Sequence, residues 1–531
     1  MRKLAALALA VPLLAASPAA TSPSYAAPAA APTAATSAAT SAAPSAAAGV
    51  KVVEDCVTSV PDPGSSTPVQ ICYSLFKPAG ASRQRPVPMI WHSHGWGGSR
   101  TKDPAAFATF LDSRYGVLSF DQRGFGESGG HAYVENPDVE GKDVARLIRL
   151  MSRLPWVRQD GPGDPRLGAI GGSYGGGYQF LAAFTSLERR GVPVLDAMAP
   201  EITWHDLNES LAPEGVVRTE WALALSAASV PTDALPPRVY KALVEGAATG
   251  TWPDGSIPGT EDMPEFFGRN GPAFHVAQGR RLDIPVLLGQ GTTDSLFPLQ
   301  QGLANWRSAI TRRARRDSIF VAYNGGHVLP GVLPRGISVT SDPCSERLAG
   351  GDFEALSKRF FDEQLKGRRT GLGGYGRLHL ATPASMCTTV RSPAPTATLP
   401  VGTVTSPTAA GAPLAYEIAP GPLRLAGTPH LTGTVTALGV RNRAFYGLAV
   451  GTSPADATLV QNNVLPLDEP SPVVGQPRRI ALPSVAVDVP AGQRLYLLVS
   501  ALSDTFVGMS SRTPGLVTIE DTRAHLPLLS P

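Results

Sequence analysis

The run Leu167-Gly-Ala-Ile-Gly-Gly-Ser173-Tyr-Gly-Gly-Gly177 constrains this chain more than any other stretch. It reads as a short buried strand, a turn crowded with glycine, and a helix beginning near Tyr174. Within it, Gly171-Gly172-Ser173-Tyr174-Gly175 forms a G-x-S-x-G pattern. Such a strand-to-helix turn is so sharp that the residue at its apex takes strained backbone angles, and side chains beside it would collide. Glycine at Gly171 and Gly175 removes those collisions. The Ser173 hydroxyl is then presented at the edge of a sheet, and the helix behind it directs free N–H groups toward developing negative charge. The pattern implies an α/β architecture and a serine nucleophile.

A serine nucleophile needs a base, and the base needs an orienting acid. In α/β-hydrolases, whose nucleophile turn Gly171–Gly175 resembles, the acid and then the base follow the serine along the chain. After Ser173 the next strong buried strand is Ile284-Pro-Val-Leu-Leu-Gly-Gln-Gly291, followed by Thr292-Thr293-Asp294. Asp294 therefore falls in a loop at the C-terminal end of a strand, where α/β folds build their sites. The strand Ser318-Ile-Phe-Val-Ala-Tyr323 comes next and ends in Asn324-Gly-Gly-His327. Asp283 and Asp317 open their strands and so lie at the wrong edge. Of the histidines after Asp294, His379, His430 and His525 fall in a β-rich region assigned to another domain. Ser173, His327 and Asp294 are the expected nucleophile, base and acid.

Two backbone N–H groups are expected to form an oxyanion hole. One belongs to Tyr174. The other comes from the loop after Pro88-Met-Ile-Trp-His-Ser-His94-Gly95-Trp96-Gly97-Gly98, with Trp96 as the donor. His92 and His94 share a strand face, but no Cys, His or carboxylate cluster completes a metal site around them. One of them is expected to brace the loop, and no metal or other cofactor is expected. A third glycine-rich loop, Asp121-Gln-Arg123-Gly124-Phe-Gly126-Glu-Ser128-Gly129-Gly130, follows the strand Tyr115–Phe120. Asp121 and Arg123 are expected to act as structural partners there.

Together these residues resemble the α/β-hydrolase superfamily, and more narrowly the cocaine esterase and Xaa-Pro dipeptidyl-peptidase (CocE/NonD) family. Asp121 to Gly130 is similar to that family's D-x-R-G-x-G-x-S-x-G, and Gly171 to Gly176 to its G-x-S-Y-x-G turn. Ala199-Pro-Glu-Ile-Thr-Trp-His-Asp206 resembles the start of its lid. The resemblance implies Ser173 as nucleophile, with Asp294 and His327 as acid and base. Several members carry a tyrosine in the oxyanion loop, where this chain has Trp96, and an indole carries no hydroxyl. That difference favours a broad esterase or amidase over the peptidase.

The 531 residues exceed what one core supports. With 17% charged residues and a net charge of +3, the composition is that of a soluble globular protein. It lacks the basic bias that nucleic acid binding requires. Met1-Arg2-Lys3, the apolar Leu4–Ala16 and the small residues Ser24-Tyr25-Ala26 read as a cleavable secretion signal over residues 1–26. Its apolar run is too short to span a bilayer, and no other run is long enough. Residues 27–49 are almost wholly Ala, Pro, Ser and Thr and read as a disordered linker. Export fits the four cysteines. Three pairings are open. A hairpin around Pro61-Asp-Pro-Gly favours Cys56 with Cys72, leaving Cys344 with Cys387.

The catalytic domain is expected over residues 50–370, with a helical lid inserted at about 201–281, where the strand-helix rhythm stops. In the lid, Glu201, Asp206 and Glu209 are candidates to bind a substrate ammonium, and Trp204 is a candidate substrate contact, although the lid aromatics read first as lid core. From about 371 to 531, short β-rich runs separated by Gly and Pro form an all-β sandwich pattern. Pro422–Pro429 resembles the jelly-roll C-terminal domain of the same family, which is noncatalytic there. The expected partner is a small-molecule or peptide substrate. The functional reading is a secreted serine hydrolase of ester or amide bonds. The alternatives are a Xaa-Pro dipeptidyl-peptidase and, from another class, a noncatalytic glycan- or polymer-binding protein on a hydrolase scaffold.

Overall fold

In the computed structural model, residues 49–328, 333–511 and 513–529 are described. The expected signal at 1–26 lies outside them, as does all of the expected linker except its last residue. The first core is a ten-stranded sheet. Its strands are β1 (Lys51–Ser59), β2 (Val69–Lys77), β3 (Met89–Ser93), β4 (Gly116–Phe120), β5 (Leu167–Gly172), β6 (Ala197–Glu201), β7 (Leu287–Gly291), β8 (Ile319–Tyr323), β9 (Leu378–Ala381) and β10 (Cys387–Val390). They lie in the order β1-β2-β4-β3-β5-β6-β7-β8-β9-β10. From β4 to β9 neighbouring strands are parallel, whereas β1, β2 and β10 join antiparallel at the two edges.

A parallel sheet needs helical crossovers and is buried on both faces. The helices include α1 (Glu140–Ser152), α2 (Tyr174–Arg190), α3 (Thr219–Ser229) and α4 (Phe353–Lys366). Alternate side chains of each strand point to opposite faces. Met89, Trp91, Leu118, Phe120 and Phe320 pack with Leu147 of α1 and Phe180 and Phe184 of α2. Ile90, Val117, Ile319 and Val321 pack on the other face with Leu356, Phe360, Phe361 and Leu365 of α4. The sheet thus holds β3, β5, β6, β7 and β8 side by side, with their C-terminal ends on one edge.

The chain between β6 and β7 is helical, as expected of a lid, and α3 belongs to it. Trp204, Phe267, Leu207 and Leu235 there share a buried cluster with Phe125, Tyr174 and Phe297. The boundary expected at 370/371 moves. Leu378–Ala381 is buried throughout and extends the parallel sheet beside β8, and β10 follows it. Strands of the C-terminal sandwich run from Ala397–Pro407 to Leu516–Leu526. They form antiparallel sheets of four, five and two strands around one apolar core that includes Val404, Leu431, Leu448, Leu497 and Ile519.

Cys56 and Cys72 stand directly opposite in the β1–β2 ladder and form one disulfide. Cys344, on the short helix Pro343–Ala349, forms the other with Cys387 of β10. No free cysteine and no helix long and apolar enough to cross a membrane occur among the described residues.

Candidate active site

Strand β5 delivers Ser173 to the edge of the sheet with φ 57° and ψ −122°, a region that non-glycine residues seldom occupy. The glycines beside it are required by close packing. A Cβ on Gly171 would lie 2.5 Å from the Gly175 oxygen, and one on Gly175 would lie 2.4 Å from the Ser93 oxygen at the end of β3. Ser173 N–H donates to the Glu201 carbonyl at 3.0 Å, and the Ser173 carbonyl accepts from Gly176 and Gly177 at 2.8 and 3.1 Å. Tyr174 is the first residue of α2, so its N–H has no partner within the helix.

Asp294 and His327 arrive on the loops after β7 and β8. Asp294 is fully buried. Its Oδ1 accepts N–H bonds from Leu296 and Phe297, both at 2.9 Å. Its Oδ2 lies 2.8 Å from His327 Nδ1, and His327 Nε2 lies 2.9 Å from Ser173 Oγ. With the ring proton on Nδ1, Nε2 is free to accept the Ser173 hydroxyl proton. Trp221 and Phe297 meet the imidazole edge-on, with centroids 5.7 and 5.3 Å away. Trp221 is fixed by its Nε1–H, which donates to Ser295 Oγ at 3.0 Å.

The loop after β3 turns beside the serine. Gly98 N–H donates to the Gly95 carbonyl at 3.0 Å, which places Trp96 at the outer corner of the turn. A Cβ on Gly95 would sit 3.8 Å from that of Ser173. His94 braces this loop. Gln122 N–H donates to its Nε2 at 3.0 Å, and its Nδ1 lies 2.7 Å from the Gly95 carbonyl. Both bonds form only in the neutral tautomer with the proton on Nδ1, and burial holds the His94 pKa below its ordinary value. His92 is pushed down to about 3 by burial and by His94. No metal-ligating group of three residues exists among the described residues. The neighbouring Arg123 is buried against Asp143 and Asp62, while Asp121 pairs with Arg100.

The model of the X-Pro dipeptidyl-peptidase (S15) family matches residues 67–328, from just before β2 to the loop that carries His327. Residues 67–328 of the chain belong to the S15 family of α/β-hydrolases. It is a hydrolase. An aminopeptidase from a marine sediment archaeon has the same fold, with a TM-score of 0.63 at 13% identity, covering 93% of this chain and 99% of that one. A CocE/NonD family hydrolase from Staphylococcus aureus gives 0.59 at 11% identity, covering 90% and 97%. An α-amino acid ester hydrolase gives 0.56 at 12% identity, covering 92% and 98%. A relative in Escherichia coli, an uncharacterised protein of 31.7 kDa, is 34% identical over 98 residues, which span 18% of this chain and 32% of that protein.

In this S15-family chain each lid residue expected to contact substrate has a partner within the protein. The Glu201 carboxylate accepts from the Tyr323 hydroxyl at 3.1 Å and packs near Phe353, and burial pushes its pKa up to about 8. Asp206 caps the short helix Leu207–Leu211, with Oδ1 accepting from Glu209 N–H at 3.1 Å. Trp204 is buried, donates Nε1–H to the Asn270 carbonyl at 2.6 Å and stacks on Tyr174. A Cβ on Gly177 would fall 2.2 Å from its ring, so Trp204 packs directly on α2.

Two residues near the triad carry no motif. Trp221 had only its place in the lid to mark it. Asn463 lies in the C-terminal sandwich, and its Nδ2 donates to the Asp294 carbonyl at 3.2 Å across 169 residues of sequence.

Proposed function

We propose that this hydrolase cleaves ester or amide bonds through an acyl-enzyme carried on Ser173. His327 Nε2 removes the hydroxyl proton as Ser173 Oγ attacks the substrate carbonyl. Asp294 holds the imidazole in the Nδ1–H tautomer and stabilises the imidazolium that forms. The N–H groups of Tyr174 and Trp96 receive the negative charge of the tetrahedral intermediate. Collapse expels the leaving group, which takes the proton from His327. Water, deprotonated by the same nitrogen, then attacks the acyl-enzyme and regenerates Ser173. The observation that carries this reading is the continuous chain of contacts Ser173 Oγ–His327 Nε2 and His327 Nδ1–Asp294 Oδ2, at 2.9 and 2.8 Å.

Uncharged acyl groups fit better than a free amino terminus. An amine-anchored peptidase needs an ionised carboxylate free to pair with the ammonium; Glu201 and Asp206 already serve Tyr323 and a helix cap, and burial beside Glu214 pushes the Glu209 pKa up to about 7. The groups beside His327 are instead the rings of Trp221 and Phe297. Release from the cell is part of the proposal, supported by the basic and apolar leader Met1–Ala26 and by the two disulfides.

A fluorophosphonate probe tests the central claim. It should label the protein once, on a peptide containing Ser173, and should leave Ser173→Ala unlabelled. Labelling of a different serine would refute the assignment.

A further inference from the structure

Two short stretches of the C-terminal sandwich reach back to the catalytic loops. In the first, Asn463 is buried, and its amide donates to the main-chain carbonyl of Asp294 at 3.2 Å. Four residues earlier, Leu459 forms a parallel bridge with Gly336 in the chain beyond His327. Ile337 N–H donates to the Leu459 carbonyl at 3.0 Å, and Leu459 N–H donates to the Arg335 carbonyl at 2.9 Å. Between these contacts Gln461 and Asn462 hold φ at 50° and 54°, left-handed values for two successive non-glycine residues. This strained turn is what directs Asn463 toward the acid loop. It is anchored on both sides: Gln461 Nε2–H donates to the Ala381 carbonyl of β9, and its Oε1 accepts from Ala486 N–H.

In the second stretch, the Asp504 carboxylate accepts from Leu333 N–H at 2.8 Å, and Asp504 N–H donates to the Leu333 carbonyl at 3.1 Å. The Thr505 carbonyl accepts from Glu220 N–H at 3.4 Å at the start of lid helix α3. The Phe506 ring lies under the buried Arg218 guanidinium, 4.9 Å from its Cζ. The acid loop, the chain that follows the base and the root of the lid are thus all tied to segments 459–463 and 504–506.

We propose that Asn463 is a positioning residue for the hydrolase reaction, and that the sandwich acts through it to hold the catalytic acid; this rests on the Ser173–His327–Asp294 reading. Asp294 and His327 stand on separate loops, which are tied to each other by the Thr293 hydroxyl bonded to Gly325 and by Ser295 N–H donating to the His327 carbonyl at 3.3 Å. The Asp294 side chain is oriented by Leu296 and Phe297 N–H groups that belong to its own loop. Those bonds, and the bonds between the two loops, lie within the loop pair itself. The Asn463 bond to the Asp294 carbonyl fixes the loop against a separate domain. Catalytic rates fall steeply with small displacements, about 10²-fold for a 1 Å misplacement. Asn463 touches neither substrate nor the reacting atoms.

Asn463→Leu keeps the volume and removes the donor, and Asn463→Asp keeps the shape and turns an acceptor toward the carbonyl. In both variants kcat for an uncharged ester should fall about 10–100-fold, KM should stay within about twofold, and fluorophosphonate labelling should slow in parallel. The downfield NMR resonance of the His327 Nδ1 proton, read in the free enzyme, should move or broaden while the melting temperature stays close to the parent's. A residue that only held the sandwich together would lower the melting temperature and leave that resonance and kcat of the folded fraction unchanged, and such a result overturns the proposal. If Asn463→Leu does not fold, the smaller Asn463→Ser, whose hydroxyl is too short to reach the carbonyl, decides on the same readouts. If the parent protein neither reacts with the probe nor shows the downfield proton, the triad reading fails and the inference goes with it.

Discussion

Ser173 donates its backbone N–H to the carbonyl of Glu201 at 3.0 Å, so the nucleophile is anchored to the neighbouring strand end as well as to its own. The strained φ of 57° is held by that bond and by the helix that begins at Tyr174. A serine at this point has little freedom to leave the line toward His327. Its reactivity therefore depends on the imidazole and carboxylate rather than on a local rearrangement.

Ser173→Ala, His327→Ala and Asp294→Asn should each lower kcat by roughly 10⁴-fold or more while circular dichroism stays unchanged. Because the three act as a unit, the double variant Ser173→Ala/His327→Ala should be no slower than Ser173→Ala alone. Near-parental turnover of His327→Ala on a good ester would remove His327 from the mechanism. Gly175→Ala should fail differently, with loss of folded protein, because its Cβ would stand 2.4 Å from the Ser93 carbonyl.

The disulfides give a prediction about covalent state. Mature protein should show no free thiol, and nonreducing peptide maps should contain Cys56–Cys72 and Cys344–Cys387 crosslinks. Closing the 16-residue separation of the hairpin pair should be worth about 3 kcal/mol in the chain-entropy model. Reduction should accordingly lower the melting temperature. A Cys72–Cys344 crosslink in the map would contradict the observed register of β1 against β2.

Local pattern and chain order made the elbow and the two catalytic loops legible. Glycines at fixed offsets mark a turn that few other residues can form, and strand ends point to Asp294 and His327. The features that were not legible depend on long-range packing. Leu378–Ala381 and Cys387–Val390 look like the opening strands of a sandwich, and only their place beside β8 makes them part of the large sheet. Glu201 stands at a strand end, as a site residue should, yet its side chain turns to Tyr323 and Phe353. Asn463 had no signal at all, since an asparagine in a loop is ordinary and its partner is 169 residues away.

Glu135 supplies a pH prediction. It is buried, and neither carboxylate oxygen has a hydrogen-bond partner among the described residues. Burial, with Glu140 and Asp143 nearby, raises its pKa well above the ordinary carboxylate value. The folded state then holds this proton more tightly than the unfolded state. Its contribution to stability is complete below the ordinary carboxylate pKa and is lost as pH rises toward the raised folded value. Glu135→Gln cannot ionise, so its melting temperature relative to the parent should climb by a degree or two (~1–2 °C) as pH rises from 5 to 9. A constant difference across that range would mean that Glu135 is ionised throughout.

The last prediction concerns the substrate, and it separates two enzymes that could share this triad. A dipeptidyl-peptidase draws much of its affinity from an ion pair between the substrate ammonium and a carboxylate. Such a desolvated pair is worth several kcal/mol when one partner is removed, because the other is left stranded. Here the Glu201 carboxylate is tied to Tyr323, Asp206 is a helix cap, and burial pushes the Glu209 pKa up to about 7. The rings of Trp221 and Phe297 flank His327, and the Trp96 indole is held by its Nε1–H bond to the Leu225 carbonyl at 2.8 Å. Short-chain p-nitrophenyl esters should therefore be hydrolysed. Acetylating the amine of an alanyl ester should leave kcat/KM within a few-fold, or raise it. Glu201→Gln and Asp206→Asn should leave the ratio of the two esters unchanged. Trp221→Ala should alter the acyl-chain preference, since it removes the ring beside the base, while Trp221→Phe should largely restore it. Efficient cleavage of Ala-Pro-p-nitroanilide, with refusal of its N-acetyl form and negligible ester turnover, would show that the ammonium is recognised and that the uncharged-acyl reading is wrong.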